Sequence, residues 1–310
     1  MLKIIIFGGF GFIGSNIKSI LKNHYKVISL SRRNDCDLNN EKIIINNLNK
    51  YKPNIIINCA SHVGGLNYIS KNSADVFRDN SRIYFNLYEA VRKTQENVVI
   101  YNPISNCAYD HELNIQKEDI WLKGEVHKSI LPFGMSKRIL YYLSKFYYQQ
   151  YNIHSKNFII PNAYGPGDYL NPEKTHALNG IILRFLKGVR NKEKEFEVWG
   201  SGKPRREWIF AEDVAKIFLE EIKNNKIKDY YPINLAQNKS YSILEIAKLV
   251  KKILKSKIKI ITNNNKIDGA LIKQLDNSKF KKYFINYKFV KLDCGIKKTI
   301  SYYKKKINAY

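Results

Sequence analysis

Gly8, Gly11 and Gly14 stand three residues apart, directly after an apolar run at 2–7 and directly before a helical segment at 13–21. A short continuous apolar run that opens a glycine loop reads as a buried parallel strand. The glycines permit a tight turn, close backbone approach to a pyrophosphate and close strand–helix packing. The helix N-terminus favours the negative charge. The spacing therefore predicts a dinucleotide cofactor held by Gly8, Gly11, Phe12, Ile13 and Gly14. A turn with a structural role only is the competing reading.

The alternation continues along the chain. Residues 26–30, 55–59, 98–101 and 156–160 read as strands, and 41–51, 75–93 and 135–151 as the intervening helices. This pattern predicts an α/β fold, a doubly wound, Rossmann-like parallel sheet with helices on both faces. After Pro161 the alternation weakens. Residues 162–172, rich in Gly, Pro and Asn, read as a loop, 175–189 as a helix and 195–199 as a strand outside the main sheet. Residues 208–210 lead into a helix near Asp213, 231–235 return to the sheet, and 243–254 form a further helix. We expect 1–165 to be the dinucleotide-binding domain, with returns near 208–236. Residues 166–310 should be mainly a smaller C-terminal α/β substrate lobe. Ligands bind such folds at the carboxyl ends of the strands.

Composition narrows the partners. A chain of 310 residues, 44% hydrophobic, can bury a substantial core. It has no apolar run of membrane-spanning length and no leader-like start, so a cytoplasmic protein with no membrane partner is expected. Cys36, Cys59, Cys107 and Cys294 are scattered without a CxxC pair, which argues against a disulfide framework and a metal site. The net charge of +26 suits nucleic acid, yet the lysines are spread over the whole chain and no basic arm stands apart. The densest basic stretches, 251–259 and 304–306, read as solvated faces. No nucleic-acid partner is expected. The same field would steer a diphosphate substrate and a phosphorylated cofactor.

The second strand runs into Leu30-Ser31-Arg32-Arg33. NAD enzymes usually place an acidic residue there for the ribose hydroxyls, whereas arginines suit a 2′-phosphate. Arg32 and Arg33 thus favour NADP (NADPH) over NAD, unless they are two more exposed cations of a basic chain.

Four segments occur in a telling order: the 8–14 glycine loop, His62-Val63-Gly64-Gly65-Leu66, Pro103-Ile104-Ser105-Asn106-Cys107, and Phe133-Gly134-Met135-Ser136-Lys137. Together they resemble the extended short-chain dehydrogenases/reductases that act on nucleotide sugars, and among them the GDP-L-fucose synthase family of GDP-4-keto-6-deoxymannose epimerase/reductases. Ala60-Ser61-His62-Val63-Gly64-Gly65 is similar to that family's Ala-x-x-Val-Gly-Gly segment, and Ser105-Asn106-Cys107 to its Ser-x-Cys strand end. Asn162-Ala163-Tyr164-Gly165-Pro166-Gly167-Asp168 resembles its Asn-x-Tyr-Gly-Pro-x-Asp turn. Trp199 to Glu207 resembles its Trp-Gly-x-Gly-x-x-x-Arg-Glu segment. Asp268-Gly269 with Lys273 resembles the C-terminal loop that brings a basic group to the substrate.

The resemblance covers nearly the whole chain and implies a GDP-linked keto-sugar substrate. It adds Asp37 and Leu38 near the adenine, and Ala60, Lys137, Asn162 and His176 as cofactor contacts. It implies Val63, Gly64, Gly65, Asn162, Arg184, Trp199, Arg206 and Lys273 as substrate contacts. Ser105, Cys107, Lys137, His176 and position 133 would be catalytic. It also implies a homodimer through a four-helix bundle built from 77–93 and 133–151. The residue types suit the chemistry. Hydride transfer to a C4 ketone leaves an alkoxide; Lys137 would raise the local positive potential and Ser105 hydrogen-bond the oxygen. Epimerisation at C3 and C5 needs a base and an acid, roles open to a Cys107 thiolate and His176. Taken singly, Cys107 reads as a small buried hydrophobe and His176 as a surface histidine at a helix start. Arg184 lies eight residues beyond His176, so one helix can carry both. Arginine's planar fork suits a diphosphate, although adjacent Glu207 offers Arg206 a structural ion pair. Trp199 either packs on guanine or fills the second lobe.

One position departs from the pattern. The superfamily signature is Tyr-x-x-x-Lys, and here Phe133 precedes Lys137. Phenylalanine cannot donate a proton, and Tyr141 and Tyr142 lie beyond Lys137. The change is either introduced, or native with Ser105, water or a histidine such as His127 delivering the proton. The expected function is NADP-dependent reduction at C4 of a GDP-4-keto-6-deoxy-hexose or related GDP-keto-heptose, with C3/C5 epimerisation left open. The alternatives are a nucleotide-sugar 4-epimerase or dehydratase of the same fold, or a silent nucleotide-sugar-binding homologue. A dehydratase usually carries an acidic pair, which 105–107 lacks.

Overall fold

The computed structural model describes residues 1–94, 97–171, 174–265, 268 and 270–307. Pro172 of the expected loop and Gly269 of the C-terminal motif lie outside the described residues. The chain runs through β1 (Lys3–Phe7), α1 (Phe12–Leu21), β2 (Lys26–Leu30), α2 (Glu41–Tyr51), β3 (Ile55–Asn58), α3 (Leu66–Lys71), α4 (Ser73–Thr94) and β4 (Val99–Ser105). It continues through β5 (Ile115–Gln116), α5 (Leu131–Tyr151), β6 (Ser155–Ile160), β7 (Asn162–Tyr164), α6 (Ala177–Arg190), β8 (Glu195–Trp199), β9 (Arg205–Phe210) and α7 (Ala211–Asn224). Last come β10 (Pro232–Asn234), β11 (Ser240–Ser242), α8 (Ile243–Leu254), β12 (Lys259–Asn263), β13 (Ile272–Leu275), α9 (Ser278–Tyr283) and α10 (Leu292–Ile307).

Six strands form one parallel sheet in the order β10-β6-β4-β3-β1-β2. Successive side chains of a strand point to opposite faces, and here both faces are covered. Ile5 and Phe7 join a core with Leu48 of α2, Leu87 of α4 and Leu140 of α5. Ile4 and Ile6 join another with Ile17 of α1 and Val214 and Phe218 of α7. The doubly wound sheet expected from the sequence is therefore present, and its central strands β1 and β3 read as apolar runs because both their faces are buried. No helix among the described residues is long and apolar enough to cross a membrane.

The rest of the chain builds outward from this sheet. β11, β9, β13 and β5 pair in that order, β7 joins β9, and β12 pairs with β8 in a separate two-stranded sheet. A third core lies between α6, α8 and α10, with Phe196, Trp208 and Phe210 inside it. Residues 162–164 correct the loop expected at 162–172: they form β7, in register with Trp208 to Phe210. The turn residues that follow dominate the composition of that stretch, yet Tyr164 is 1% exposed. α3, β5, β11, β12, β13, α9 and α10 were not expected from the sequence. Residues 304–306 are exposed, as a solvated face should be.

A buried polar seam locks two helices to the sheet. The Tyr88 hydroxyl of α4 meets Ser144 Oγ of α5 at 2.8 Å, Ser155 Oγ of β6 at 2.9 Å and Asn102 Nδ2 of β4 at 3.0 Å.

Glu207 of β9 is fully buried and joins three strands' worth of chain. It accepts from the backbone N–H of Gln237 at 2.5 Å, Asn238 at 3.2 Å and Leu275 at 2.8 Å. Burial pushes its carboxyl up from 4.5 to about 7, and the three donors offset only part of that. The folded chain therefore holds this proton more tightly than the unfolded chain. The group's stabilisation is complete below about pH 4.5 and is lost as pH rises through about 7. The loss amounts to roughly 3 kcal/mol. Chemical denaturation between pH 5 and 8 should show a steeper fall in the parent than in Glu207→Gln. The variant should be less stable at pH 5, because the amide cannot accept from every N–H. Equal slopes would show that Glu207 is not the titrating group.

Candidate active site

Every strand of the parallel sheet ends at one edge, and the glycine loop turns there. Gly8 has φ +72°, and a Cβ on it would lie 2.7 Å from the Ala60 nitrogen at the end of β3. A Cβ on Gly14 would lie 2.3 Å from the Gly8 carbonyl oxygen. Only hydrogen fits at either place. Gly11 caps α1 without a side-chain hydrogen bond, and the first turn of α1 carries no acidic residue. The terminus thus keeps its positive end available to an anion. Phe12 is buried, and Ile13 packs at the edge of the α1 core. Beside them Asn58, 3% exposed, has both amide atoms unpaired among the described residues. A Cβ-free cradle, an uncapped helix end and an unspent amide fit a dinucleotide pyrophosphate.

Arg32 and Arg33 sit on a short turn after β2, exposed. Ser31 braces the turn: its hydroxyl accepts from Arg33 N at 3.1 Å, and its own N–H donates to Asn34 Oδ1 at 2.7 Å. The Asp37 carboxylate folds back on the Asn39 backbone N–H at 3.0 Å. Leu38 is buried, and its carbonyl accepts from Asn86.

The second group gathers where β4 meets α5. Ser105 ends β4, and its hydroxyl accepts from Cys107 N at 3.3 Å. Cys107 and Phe133 are buried in one small cluster with Ile69, Val76, Val126 and Ile130. Burial pushes the Cys107 thiol up, against the pull of Ser105, Lys273 and Lys137, so the expected thiolate is disfavoured in this state. Lys137 follows Phe133 by one turn, its Nζ 5.1 Å from the ring centroid. The ammonium donates to Tyr84 Oη of α4 at 2.6 Å. Sequence reasoning missed Tyr84, because on the apolar face of α4 a tyrosine reads as core. His127 bonds Ser129 Oγ through Nδ1; burial and neighbouring cations, Lys273 first, lower its pKa and so disfavour its protonated form.

His176 caps α6 and touches the glycine loop, its ring 5.1 Å from that of Phe12. Its Nδ1 lies 3.0 Å from Asp168 Oδ2. Burial would raise the Asp168 carboxyl, but bonds from His176 and Thr175 and the His176 charge hold it below its usual range. No contact joins His176 to Cys107 among the described residues. The 61–65 loop carrying Val63, Gly64 and Gly65 is pinned by Asn80, also missed from sequence. Asn80 accepts from His62 N at 2.8 Å and donates to His62 O at 2.9 Å. His62 bridges Asp79 at 2.9 Å and Tyr68 at 2.8 Å.

Arg206 and Lys273 are register partners on β9 and β13. Arg206 Nη1 donates to the carbonyls of Arg205 and Ala270, both at 2.7 Å. The competing reading, an ion pair with Glu207, is not met among the described residues, since that carboxylate accepts from backbone N–H groups. Burial lowers the pKa of both cations; Arg206 depresses Lys273 further against the pull of Cys107, while Asp268 supports Arg206 only in part. Two desolvated like charges side by side ask for an anion. Arg184 stands apart from them. It donates to the Glu197 carbonyl and lies 4.8 Å from the Trp199 ring. Trp199 is 63% exposed, so it does not fill the second lobe. Asn162 Nδ2 donates to the Glu207 carbonyl at 3.1 Å.

Comparison with known proteins places the fold and the family. The chain is 29% identical to GDP-L-colitose synthase of Yersinia pseudotuberculosis over 97% of its own length and 98% of that protein. The fold of a C. jejuni GDP-6-OMe-4-keto-L-xylo-heptose reductase superposes with a TM-score of 0.88 at 23% identity, covering 98% of each chain. A GDP-L-fucose synthetase of Naegleria fowleri bound to NADP superposes at 0.87 and 24% identity, covering 99% of this chain and 94% of that one. Residues 4–236, from β1 past β10, match a single family model that spans the glycine loop, Lys137 and the β9 cations, and the chain belongs to the NAD dependent epimerase/dehydratase family.

Proposed function

We propose that this chain reduces the C4 ketone of a GDP-linked 4-keto-6-deoxy-hexose or keto-heptose with NADPH. The observation that carries the reading is the desolvated Arg206–Lys273 pair, whose Lys273 lies close enough to Cys107 for its charge to act on the thiol. Such a pair suits a diphosphate beside the strand end that holds the reacting carbonyl. The names of the relatives support a GDP-sugar, and the NADP-bound relative supports the cofactor. Bound NADPH would supply a hydride to C4.

The chain's own groups would do the rest. Gly8, Gly11 and Gly14 with the start of α1 receive the pyrophosphate, and Arg32 and Arg33 the 2′-phosphate. Asp37, Leu38, Ala60 and Asn162 flank the rest of the cofactor, and Lys137 holds its ribose. Ser105 orients the ketone oxygen and relays a proton from water to the alkoxide that the hydride leaves. Val63 to Gly65 line the sugar, and Trp199 on Arg184 receives the guanine. Residues 1–165 with 208–236 serve the cofactor and most of 166–310 the substrate. Phe77 and Phe85 of α4 and Tyr142 and Phe146 of α5 are exposed, which suits a cytoplasmic homodimer packed through these helices. Reduction is favoured over epimerisation, because Cys107 and His176, the pair that C3/C5 epimerisation would use, stand in separate clusters.

Three outcomes test this reading. Fluorescence titration should show tighter binding of NADPH than NADH, with the preference lost when Arg32 and Arg33 are both replaced by alanine. Equal affinities in the parent would remove the 2′-phosphate site. In D2O, NADPH oxidation by GDP-4-keto-6-deoxymannose or a GDP-keto-heptose should give the C4 alcohol with no deuterium at C3 or C5. Phe133→Tyr should raise kcat by about 10²–10⁴-fold with ligand affinities nearly unchanged. Deuterium at both carbons would restore the epimerase reading. Failure of both proteins on every 4-keto sugar would mark a silent binder.

A further inference from the structure

We propose that Tyr84 is the positioning residue of Lys137: its phenol oxygen, reaching in from the neighbouring helix, anchors the ammonium in a site that has no hydroxyl at position 133. The proposal rests on the reading above, in which Lys137 holds the cofactor ribose. The contact itself is short and enclosed. Lys137 Nζ donates to Tyr84 Oη at 2.6 Å, Lys137 is 5% exposed and Tyr84 fully buried.

A buried ammonium is costly unless something replaces its water. Here the replacement is meagre. The ammonium's hydrogen-bond partner among the described residues is a phenol, not a carboxylate. The ring centroids of Tyr84 and Phe133 lie 5.0 and 5.1 Å away, within range of a weak cation–π attraction. Two titratable groups of other elements feel its charge, Cys59 just beyond β3 and Cys107 just beyond β4. Neither is a carboxylate. The Tyr84 oxygen is thus the strongest acceptor offered to Lys137.

The seam between the helices makes this geometry specific. Tyr88, one turn after Tyr84 on α4, bonds Ser144, two turns after Lys137 on α5. Each phenol on α4 therefore meets a polar group on α5, and the lower bond fixes the register of the upper. A phenylalanine at 84 would fill the same volume. The hydroxyl adds an acceptor and nothing to the packing, so its loss should be read at Lys137 rather than in the core.

Trace acetylation of the full chain at one fixed pH, read at Lys137 by peptide mass spectrometry with exposed Lys304 as reference, tests this. Tyr84→Phe, which removes the hydrogen bond that holds the amine, should raise the labelling of Lys137 relative to Lys304 by about tenfold. It should also weaken NADPH binding. Tyr88→Phe, which deletes a hydroxyl of equal burial one turn away, should leave the ratio where it is. An unchanged ratio in Tyr84→Phe would overturn the proposal, as would an equal rise in Tyr88→Phe, which would mean general loosening of the seam. The labelling needs no ligand. If the parent fails to bind NADPH, the functional reading falls, and the labelling ratio still decides the role of Tyr84.

Discussion

The site depends on how closely α1 can approach the strands beside it. Two missing Cβ atoms, at Gly8 and Gly14, let the loop lie against the end of β3 and against itself. A methyl group at either position would lift α1 away from the sheet edge. The cradle, the helix end and the contact between Phe12 and His176 would move together. The parallel order of the sheet then brings the ends of β3, β4 and β6 to that same edge. Ser105 and Asn162 are brought there by the strands that carry them, beside the cradle that this steric allowance forms.

The first half of the chain was legible because of how it is buried. Strands covered on both faces appear as Ile-Ile-Ile-Phe or Ile-Ile-Ile-Asn, and the helices between them carry clear periodicity. The second half was less legible. β11 reads Ser-Tyr-Ser and β13 Ile-Lys-Gln-Leu, short segments that pairing with β9 makes into strands. The glycine loop and the β9 cations could be named from spacing and resemblance. Tyr84 and Asn80 could not. Their partners come from α5 and from the loop after β3, and nothing in the local pattern of α4 separates them from core residues. Glu207 misled for the same reason: adjacency to Arg206 suggested a pair, and strand geometry sends the two side chains to different partners.

Charge is distributed unevenly in depth. The chain carries a net +26, yet several of its few acids are inside. Glu207, Glu118, Asp213 and Glu221 are buried, and burial raises the pKa of each. They accept from backbone N–H groups of Leu275, Asn234, Val290 and Ile227 respectively. These carboxylates fasten loops rather than answer lysines, so the outer field stays strongly positive and the turns of the second half gain fixed ends.

The contact between Phe12 and His176 joins the starts of two helices, α1 and α6, and only one of them is already answered. Asp168 sits at the α6 terminus and accepts from His176 N at 2.8 Å. The α1 terminus has no such partner. Each helix end carries a partial charge of about half a unit from its peptide dipoles. Peptide dipoles do not titrate. The attraction of the α1 end for an anion therefore survives in strong alkali, where the lysine amines have given up their protons, and it sets a floor to phosphate attraction that the side chains of a basic protein cannot provide.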